Sequence, residues 1–528
     1  MQNFSKLRYI KNPTYKKFGY VVPLTLRWQF LGFMSSARKI SMLRTHSSIK
    51  TDYCPGCGSK FQTEDKQKPG YLIVPSATLK KPTIKPNSNE LNNEDVERII
   101  RLIPDDIRKK LYPEGEITHM SSSELMEERK SERVTDEKQK DERIFCHRCY
   151  NLLHYNRVTS DTWQESLTTD KSILSFLKKK EDATIVTVVD IFDFPGSLLE
   201  NLDSLIGTDK QNILVANKMD LLPNDVNETR IKRWLYEKCK KFGFTNIRDI
   251  FLISAKKNWK VQELAQTMST IRSGFDDIYL IGKTNVGKSE LINSFLRCMV
   301  VDGWRHKVTS SPIPGTTMGM LGLPLTLFKE TFGVNPKGFH FPQTSRHLFD
   351  TPGIINENQL INLLTEEELK ITIPQKYIKP LTFALTPGKT VFLEGLGRID
   401  YVEGQKPIRI TVFSRLKPHL TSIRRADEIC QSMAVGDQTF LQPPIFSSKR
   451  KEFPAMIKGL KKYAMKGISG TMSIKDIVFS GVGWVSVGGM FDKAVIDVWS
   501  PNGMGIYIRD KPLLPFEFKG RYESPKLY

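Results

Sequence analysis

A single short segment limits the possible folds of this 528-residue chain more than any other. Residues 282–289 have the sequence GKTNVGKS, which matches the G-x4-G-K-S pattern of a phosphate-binding loop. The apolar residues 278–281 before it are typical of a buried strand, and residues 290–295 after it have the apolar spacing of a helix. A strand, this loop and a helix in succession predict an α/β domain that binds a nucleoside polyphosphate.

The loop also predicts a role for individual residues. Its glycines let the backbone curl, so that successive N–H groups and the N-terminus of the following helix face the phosphates. Lys288 is predicted to neutralise the β and γ oxygens, and Ser289 to offer its hydroxyl to Mg²⁺. The loop residues predicted to contact the nucleotide are Gly282, Asn285, Val286, Gly287, Lys288 and Ser289.

Two motifs upstream of the loop predict which base is bound. Residues 217–220 have the N-K-x-D pattern, in which Asp220 can accept hydrogen bonds from both guanine N1–H and N2–H, a pair of donors that adenine does not offer. Residues 254–256, Ser-Ala-Lys, follow an apolar pair, and their backbone is expected to close over the base. The predicted base-binding residues, which select GTP over ATP, are Asn217, Lys218, Asp220, Ser254, Ala255 and Lys256.

Two further motifs lie downstream of the loop. At residues 350–353, Asp-Thr-Pro-Gly, the Asp350 carboxylate suits Mg²⁺ through a water and the Gly353 amide suits the γ-phosphate. Residues 314–317 read Pro-Gly-Thr-Thr, and one of these threonines can complete the metal shell only when the γ-phosphate is present. Thr317 is favoured for this role, with Thr316 as the alternative. The predicted catalytic residues are Lys288, Thr317, Asp350 and Gly353.

The order of these motifs is unusual. The base-reading motifs come first, then the phosphate loop, then the two motifs that sense the γ-phosphate, which is a circular permutation of the usual GTPase order. Such a chain can build the same sheet because termini and loops lie at its surface. We therefore expect a circularly permuted P-loop GTPase domain at residues 158–365, whose last motif leads directly into the next domain, so that loss of the γ-phosphate can move that domain.

Four of the seven cysteines form two C-x2-C pairs, Cys54 with Cys57 and Cys146 with Cys149, within a module predicted at residues 51–157. Four thiolates favour a closed structural zinc site, with each sulfur about 2.3 Å from the metal. A charged, solvated insertion at about residues 86–143 accounts for the unusually long separation of the pairs, and two unrelated pairs are the alternative. The remaining cysteines are expected to be buried or free thiols: Cys239, Cys298 and Cys430.

The first 50 residues contain ten Lys or Arg and no Asp or Glu, which is typical of an organellar transit peptide. A disordered basic arm that touches RNA is the alternative. The whole chain has a formal charge of +21, which suggests nucleic acid or an anionic membrane surface as a partner. No apolar run is long enough to predict a transmembrane segment, and seven cysteines are too few for the disulfide scaffold of a secreted protein.

Residues 366–528 alternate apolar and polar positions between frequent glycines, which predicts a β-rich, α+β domain. Residues 449–475 contain eight basic residues and one acidic residue, with Phe453 and Tyr463 among them. Phosphate neutralisation and aromatic stacking there predict RNA binding, and a solvated helical face is the alternative.

The permuted motifs, the cysteine pairs and the β-rich tail together resemble the YqeH family of circularly permuted GTPases. The resemblance is to its fungal mitochondrial members in particular, those of the genetic-interactor-of-prohibitin type. It is carried by residues 69–71, 146–150, 188–194, 395–401 and 476–484. It implies GTP hydrolysis coupled to assembly of the small ribosomal subunit in the mitochondrial matrix. The implied partners are small-subunit rRNA or ribosomal proteins, and the implied association with prohibitin allows peripheral contact with the inner membrane.

Two residues bear on the rate of hydrolysis. Ile354 stands where many GTPases carry a glutamine that orients the attacking water, so intrinsic hydrolysis is expected to be slow. Similar permuted GTPases are stimulated by K⁺, and Asn285 occupies the loop position whose side chain holds that ion in the GTPases that it resembles. K⁺ activation is therefore expected, the alternative being that Asn285 only shapes the loop.

Asp190 and Asp193 are expected to cap a helix or pair with a cation rather than to act as a base.

These patterns favour a mitochondrial GTPase that times small-subunit assembly, with GTP, Mg²⁺, Zn²⁺ and K⁺ as its ligands. Two other classes stay open. One is an RNA- or protein-binding scaffold in which the nucleotide is structural, and the other is a peripheral factor in the maintenance of mitochondrial membranes or lipids.

Overall fold

The computed structural model describes residues 52–66, 68–72, 144–154, 171–224, 226–272, 276–300, 303–310, 316–328, 346–436, 440–445 and 453–515. These residues belong to one compact unit, Asp52–Tyr528. The predicted transit peptide and the charged insertion lie outside the described residues, as do residues 314–315 before Thr316 and residues 449–451 of the basic segment.

Six strands form the central sheet: β1 (Ala183–Asp190), β2 (Gln211–Asn217), β3 (Asp249–Leu252), β4 (Asp277–Ile281), β5 (Leu321–Pro324) and β6 (His347–Asp350). Their order across the sheet is β3-β2-β1-β4-β6-β5. All neighbours are parallel except β5, which runs antiparallel to β6 at one edge. The carboxyl ends of β2, β4 and β6 therefore meet at one edge, which is where open α/β sheets bind ligands.

Seven α-helices lie in the described part of the chain: α1 (His147–His154), α2 (Leu202–Ile206), α3 (Glu228–Lys241), α4 (Val261–Ile271), α5 (Lys288–Met299), α6 (Glu366–Thr372) and α7 (Ile423–Ala434). In α3 the Asn227 side chain caps the first turn, and Ile231, Trp234 and Leu235 form its buried stripe. Helices α2 and α3 contribute to the core on one face of the central sheet, and α4 and α5 to the core on the other. Every residue of β1 is consequently buried.

Ten strands form two antiparallel sheets after the GTPase motifs. They are β7 (Leu381–Leu385), β8 (Lys389–Leu393), β9 (Gly397–Gly404), β10 (Ile408–Ser414), β11 (Pro418–Ser422), β12 (Met456–Met465), β13 (Ser469–Phe479), β14 (Gly483–Gly489), β15 (Ala494–Pro501) and β16 (Ile506–Arg509). The strand orders are β16-β13-β14-β10-β7 and β11-β8-β9-β15-β12. Both sheets contribute to one apolar core, which confirms the predicted β-rich domain. The alternative prediction of a helical face in the basic segment is wrong for the described part of that segment, because β12 and β13 occupy it.

A further core joins the β-rich domain to the GTPase domain. Trp484 of β14 is fully buried, and its ring stacks on Phe413 with the ring centroids 4.5 Å apart. Phe192, which follows β1 of the GTPase domain, meets the same indole edge-on at 4.9 Å. The two domains therefore share buried apolar surface, and the boundary predicted near residue 365 stays a prediction.

We expect Trp484→Ala to lower the free energy of unfolding by about 3–5 kcal/mol, because the truncation removes both ring contacts and leaves a cavity between the domains. Urea unfolding followed by circular dichroism measures the change. Trp259 is 39% exposed and provides the matched control, since Trp259→Ala is expected to cost no more than about 1 kcal/mol. Equal losses in the two variants would contradict the shared core.

Candidate nucleotide site and candidate metal centre

The phosphate loop connects β4 to α5, between the two elements that its flanking residues predict. Gly287 precedes the first turn of α5 with a φ of 93°, in the left-handed region that favours glycine. A Cβ at this position would lie only 2.4 Å from Nδ2 of Asn217. Glycine is therefore required both by the backbone conformation and by the close approach of the base-reading motif.

The side chain of Asn217 ties three motifs together at the end of β2. Its Nδ2 donates to the carbonyl oxygen of Val286 in the phosphate loop at 2.9 Å, and its Oδ1 accepts from the N–H of Ala255 at 3.0 Å. The hydroxyl of Ser254 donates to Asp220 Oδ1 at 2.7 Å. The structure thus brings the predicted base-reading residues and the phosphate loop around one space.

Three side chains predicted to bind Mg²⁺ converge at the end of β6. The Ser289 and Thr317 hydroxyls lie 2.7 Å and 2.8 Å from Asp350 Oδ2, and 2.9 Å from each other. All three residues are buried, whereas Thr316 is half-buried. Asp350 Oδ1 has no hydrogen-bond partner among the described residues. Clustered oxygen ligands with spare capacity fit a hard cation such as Mg²⁺, and Thr317 is the threonine that reaches them.

Burial changes the proton affinity of both charged residues beside this cluster. It lowers the pKa of Lys288 to about 8, although the nearby Asp350 carboxylate acts in the opposite direction. It likewise raises the pKa of Asp350, against the effect of Lys288. Lys288 Nζ donates to the loop carbonyls of Gly282 and Lys283 at 3.1 Å and 3.0 Å. A bound polyphosphate with its cation would favour the charged form of each group.

Ile354 is buried in the apolar core beneath the phosphate loop, with 1% of its surface exposed. Its carbonyl oxygen accepts from the N–H of Thr284 at 2.9 Å. At the preceding residue, Gly353, a Cβ would lie 3.0 Å from Lys288 Nζ. The backbone of Gly353 therefore borders the phosphate site, while the Ile354 side chain faces the core.

A cavity of about 360 Å³ connects the base-reading motif, the phosphate loop and the cation cluster. Its wall includes residues that the sequence motifs miss: Gln359, Ile361, Ile373, Gln375 and Gly481. Lys256 Nζ donates to the backbone carbonyl of Gln375 at 2.8 Å, so the segment after α6 reaches the base-binding end. The only sequence signal for these residues is that few positions separate Gly353 from the β-rich domain.

Asp190, the last residue of β1, and Asp193, just after it, occupy different environments. Asp190 pairs with Lys218 at 2.7 Å, as expected for a structural carboxylate. Asp193 is buried and accepts from Gln359 Nε2 at 2.6 Å and from the N–H of Gly481 at 2.7 Å. Burial, reinforced by the charge of Asp190, raises the pKa of Asp193 to about 6. Asp193 therefore joins the residues after Gly353 to the β-rich domain.

The two cysteine pairs form one cluster despite the 89 positions between Cys57 and Cys146. All four side chains are buried, and their sulfur atoms lie within 4.8 Å of one another. The 3.8 Å between Sγ of Cys57 and Sγ of Cys146 matches the edge of about 3.8 Å that a tetrahedron with Zn–S bonds of about 2.3 Å requires. The donor set fits Zn²⁺, and two unrelated pairs are excluded. Cys239, Cys298 and Cys430 are free thiols, as expected.

This arrangement defines a class of protein, a GTPase whose motifs are circularly permuted. Three family models match the chain: one described as 50S ribosome-binding GTPase at residues 277–379, one as Genetic interactor of prohibitins 3 N-terminal domain at 53–163, and one as YqeH-like, C-terminal at 405–511.

Similarity to individual proteins gives the family. The chain is 33% identical over 375 residues to the uncharacterized protein YqeH of Bacillus subtilis (strain 168), which covers 70% of this chain and 90% of that protein. The chain therefore belongs to the YqeH family, and the predicted GTPase class is confirmed. It is 28% identical over 499 residues to Nitric oxide-associated protein 1 of Homo sapiens, with 71% of this chain and 70% of that protein covered.

A mitochondrial relative supports the predicted location. The chain is 23% identical over 506 residues to Genetic interactor of prohibitins 3, mitochondrial, of Saccharomyces cerevisiae (strain Lalvin EC1118 / Prise de mousse), with 87% of this chain and 80% of that protein covered. The name of that relative agrees with the transit-peptide composition, and the predicted mitochondrial location is confirmed. Among the described residues, no helix combines the length and apolar character needed to cross a membrane.

We expect Asp220→Asn to weaken GDP binding by about 10²–10⁴-fold, because guanine N1–H and N2–H lose a charged acceptor worth about 1.5–3 kcal/mol for each hydrogen bond. The side-chain amide introduced by this substitution would instead donate to the O2 atom of xanthine, so XDP should bind the variant better than GDP does. Competition titration against a fluorescent guanine nucleotide measures both affinities. Unchanged GDP affinity in the folded variant would remove Asp220 from the site.

Proposed function

We propose that this chain is a GTPase of the mitochondrial matrix that times assembly of the small ribosomal subunit. In the GTP-bound form the protein holds rRNA or an assembly intermediate, and GTP hydrolysis releases that RNA or intermediate. The single observation that carries the proposal is the direct attachment of the γ-phosphate-sensing segment to the β-rich domain. The N–H of Leu360, seven residues after Gly353, donates to the carbonyl oxygen of Ser480 at 3.1 Å.

Further contacts strengthen this attachment. Asn356 Nδ2 donates to the hydroxyl oxygen of Ser480 at 3.4 Å, and Gln359 and Gly481 share the carboxylate of Asp193. The bonds from Asn356 and Gln359 are buried, so moving the segment exposes or breaks several of these contacts together. A change at Gly353 is therefore expected to reach the turn between β13 and β14 rather than to be absorbed locally.

In the proposed reaction, a water oxygen bonds to the γ-phosphorus while the bond from that phosphorus to the β–γ bridging oxygen breaks. GDP leaves, and the water protons end on inorganic phosphate or solvent. Lys288 neutralises charge on the transferring group, and Ser289, Thr317 and Asp350 would hold the Mg²⁺ that shares this task. The Gly353 amide binds the γ-phosphate and is released when that group departs.

Slow intrinsic turnover and K⁺ stimulation are part of the proposal. The burial of Ile354 supports the first, because its side chain cannot orient a water in the cavity. Asn285 supports the second: it lines the cavity at a φ of 60°, and its Nδ2 is buried with no hydrogen-bond partner among the described residues. The amide nitrogen is therefore not committed to shaping the loop, and the amide oxygen is the atom that would bind the cation.

We expect turnover in K⁺ to exceed turnover in Na⁺ by on the order of tenfold or more, because a fixed cation near the transferring phosphoryl group stabilises developing charge. Asn285→Ala should reduce the difference without changing GDP affinity greatly. Phosphate release at constant ionic strength measures both effects. Equal turnover in the two salts would reject K⁺ activation.

RNA contact by the β-rich domain is proposed from its basic surface. Lys461, Lys462 and Lys466 are exposed on and beside β12, whereas Lys458 is paired with Asp497 at 2.7 Å. These three exposed cations can neutralise phosphates without first breaking ion pairs. Lys475 is paired with Asp510 at 2.7 Å, and residues 449–452 of the basic segment lie outside the described residues.

Two observations support other assignments. The matching GTPase family is described as 50S ribosome-binding, which favours the large subunit as an alternative partner. The basic charge of +21 is also compatible with an anionic membrane, and the related yeast protein is named for prohibitins. A scaffold in which the nucleotide is structural is the remaining class.

Gradient sedimentation of mitochondrial extract separates these assignments. With a non-hydrolysable GTP analogue, we expect the chain to migrate with small-subunit rRNA, and with GDP to migrate free, because the γ-phosphate holds the binding form. Lys288→Ala should abolish this nucleotide response.

Comigration with large-subunit rRNA would instead support the large subunit as the partner. Ribosomal binding that Lys288→Ala leaves intact would support the scaffold. Retention in the membrane fraction, tested by carbonate extraction and lipid flotation, would select the peripheral membrane factor.

A further inference from the structure

The four-cysteine cluster lies directly against the segment that carries Thr317. The backbone N–H groups of Met318 and Gly319 both donate to the carbonyl oxygen of Cys57, each at 2.9 Å. The Met318 side chain also packs against the cysteine cluster. One carbonyl of a candidate metal ligand therefore holds the two residues that follow Thr317.

A residue that precedes Thr317 in the chain, Thr309, is held by the turn that carries Cys54 and Cys57. The N–H of Thr309, a fully buried residue, donates to the carbonyl oxygen of Gly56 at 3.3 Å. The backbones of Gly58 and Gly319 approach so closely that a Cβ on Gly319 would lie 2.3 Å from the carbonyl oxygen of Gly58. The contact is therefore backbone against backbone, which leaves little freedom for relative displacement.

The turn itself is defined by the cysteines. The N–H of Gly58 donates to the carbonyl oxygen of Cys54 at 2.8 Å, and the N–H of Cys146 donates to Sγ of Cys54 at 3.3 Å. The first cysteine pair and the second belong to segments far apart in the chain. A metal that binds all four thiolates fixes the first turn against the second and so determines where the Cys57 carbonyl lies.

We propose that the turn formed by residues 54–58 is a positioning element of the GTPase site. The Cys57 carbonyl holds the backbone from which Thr317 reaches the Mg²⁺ cluster, so the cysteine centre and the γ-phosphate state are coupled. This inference rests on the proposed role of Thr317 as a Mg²⁺ ligand. It assigns to the cysteine centre a role in the reaction in addition to folding its own module.

The coupling has a specific signature. Thr317 completes the cation shell only in the triphosphate state, whereas Asp220 and Lys288 bind the base and phosphates of either nucleotide. Loosening the contact with the turn should therefore raise the Mg²⁺ concentration needed to bind a GTP analogue. It should leave GDP affinity and zinc content unchanged.

Gly319→Ala tests this signature without altering a cysteine or a cation ligand. Its Cβ would force Gly319 and Gly58 apart, and we expect the Mg²⁺ concentration for half-maximal binding of a non-hydrolysable GTP analogue to rise about tenfold, as loss of one well-placed interaction predicts. Gly470→Ala is the matched control, because no heavy atom lies within 4 Å of the Cβ that it adds. Zinc content and GDP affinity are measured on the same purified full-length proteins.

Thr317→Ala separates the inference from the proposed function. A shift in Thr317→Ala without any shift in Gly319→Ala would overturn the coupling while leaving the role of Thr317 intact. The absence of a shift in Thr317→Ala would overturn that role and the inference with it. If Gly319→Ala also loses GDP affinity, Gly58→Ala decides the question by the same criterion, because the three heavy atoms nearest to its added Cβ all belong to the backbone of Gly319, at 3.0–3.4 Å.

Discussion

The pairing of β1 with a neighbour on each side is the constraint on which the nucleotide site depends. β1 runs parallel to β2, with Asp190 opposite Asn217, and parallel to β4, with Thr187 opposite Ile281. Because parallel strands in register end at the same edge, the base-reading motif after β2 and the phosphate loop after β4 lie side by side. The register of the sheet, and not the order of the chain, brings Asn217 to the loop. This is why a permuted sequence can retain the site.

The permutation also decides what lies beyond the last motif. The chain after Gly353 enters the β-rich domain, and the loop after β1 is anchored to the same domain by Arg509. That side chain is fully buried and donates to the Phe194 carbonyl at 2.7 Å and to Asp476 at 3.3 Å. Asp476 lies on the same domain as Arg509, so separating the loop from the domain would remove, of these two acceptors, only the Phe194 carbonyl from this buried guanidinium. The loss of that acceptor opposes their separation.

Local chemistry explains which parts of this structure are predictable from sequence. Lys288 and Asp220 belong to short motifs whose chemistry is complete within a few residues, and the two cysteine pairs are recognisable for the same reason. Gln359, Gln375 and the Cys57 carbonyl have no such signature. Each acquires its position through contacts with residues far away in the chain, or through a backbone atom that every residue type possesses. The joint between domains at Trp484 is equally non-local, since an isolated tryptophan in a strand pattern predicts burial but not its partner.

The two segments proposed to sense the γ-phosphate are held by different modules, and this arrangement has a thermodynamic consequence. The cysteine turn holds Met318 beside Thr317, and the β-rich domain holds Leu360 beyond Gly353, while Thr317 and Asp350 meet at 2.8 Å. A partner that binds the β-rich domain better in the GTP form must, by linkage, raise the affinity for GTP by the same factor. In the proposed function, the partner that the GTP form holds would therefore also increase the affinity for GTP. Hydrolysis would then favour release, because dissociation of the intact nucleotide is opposed by the partner itself.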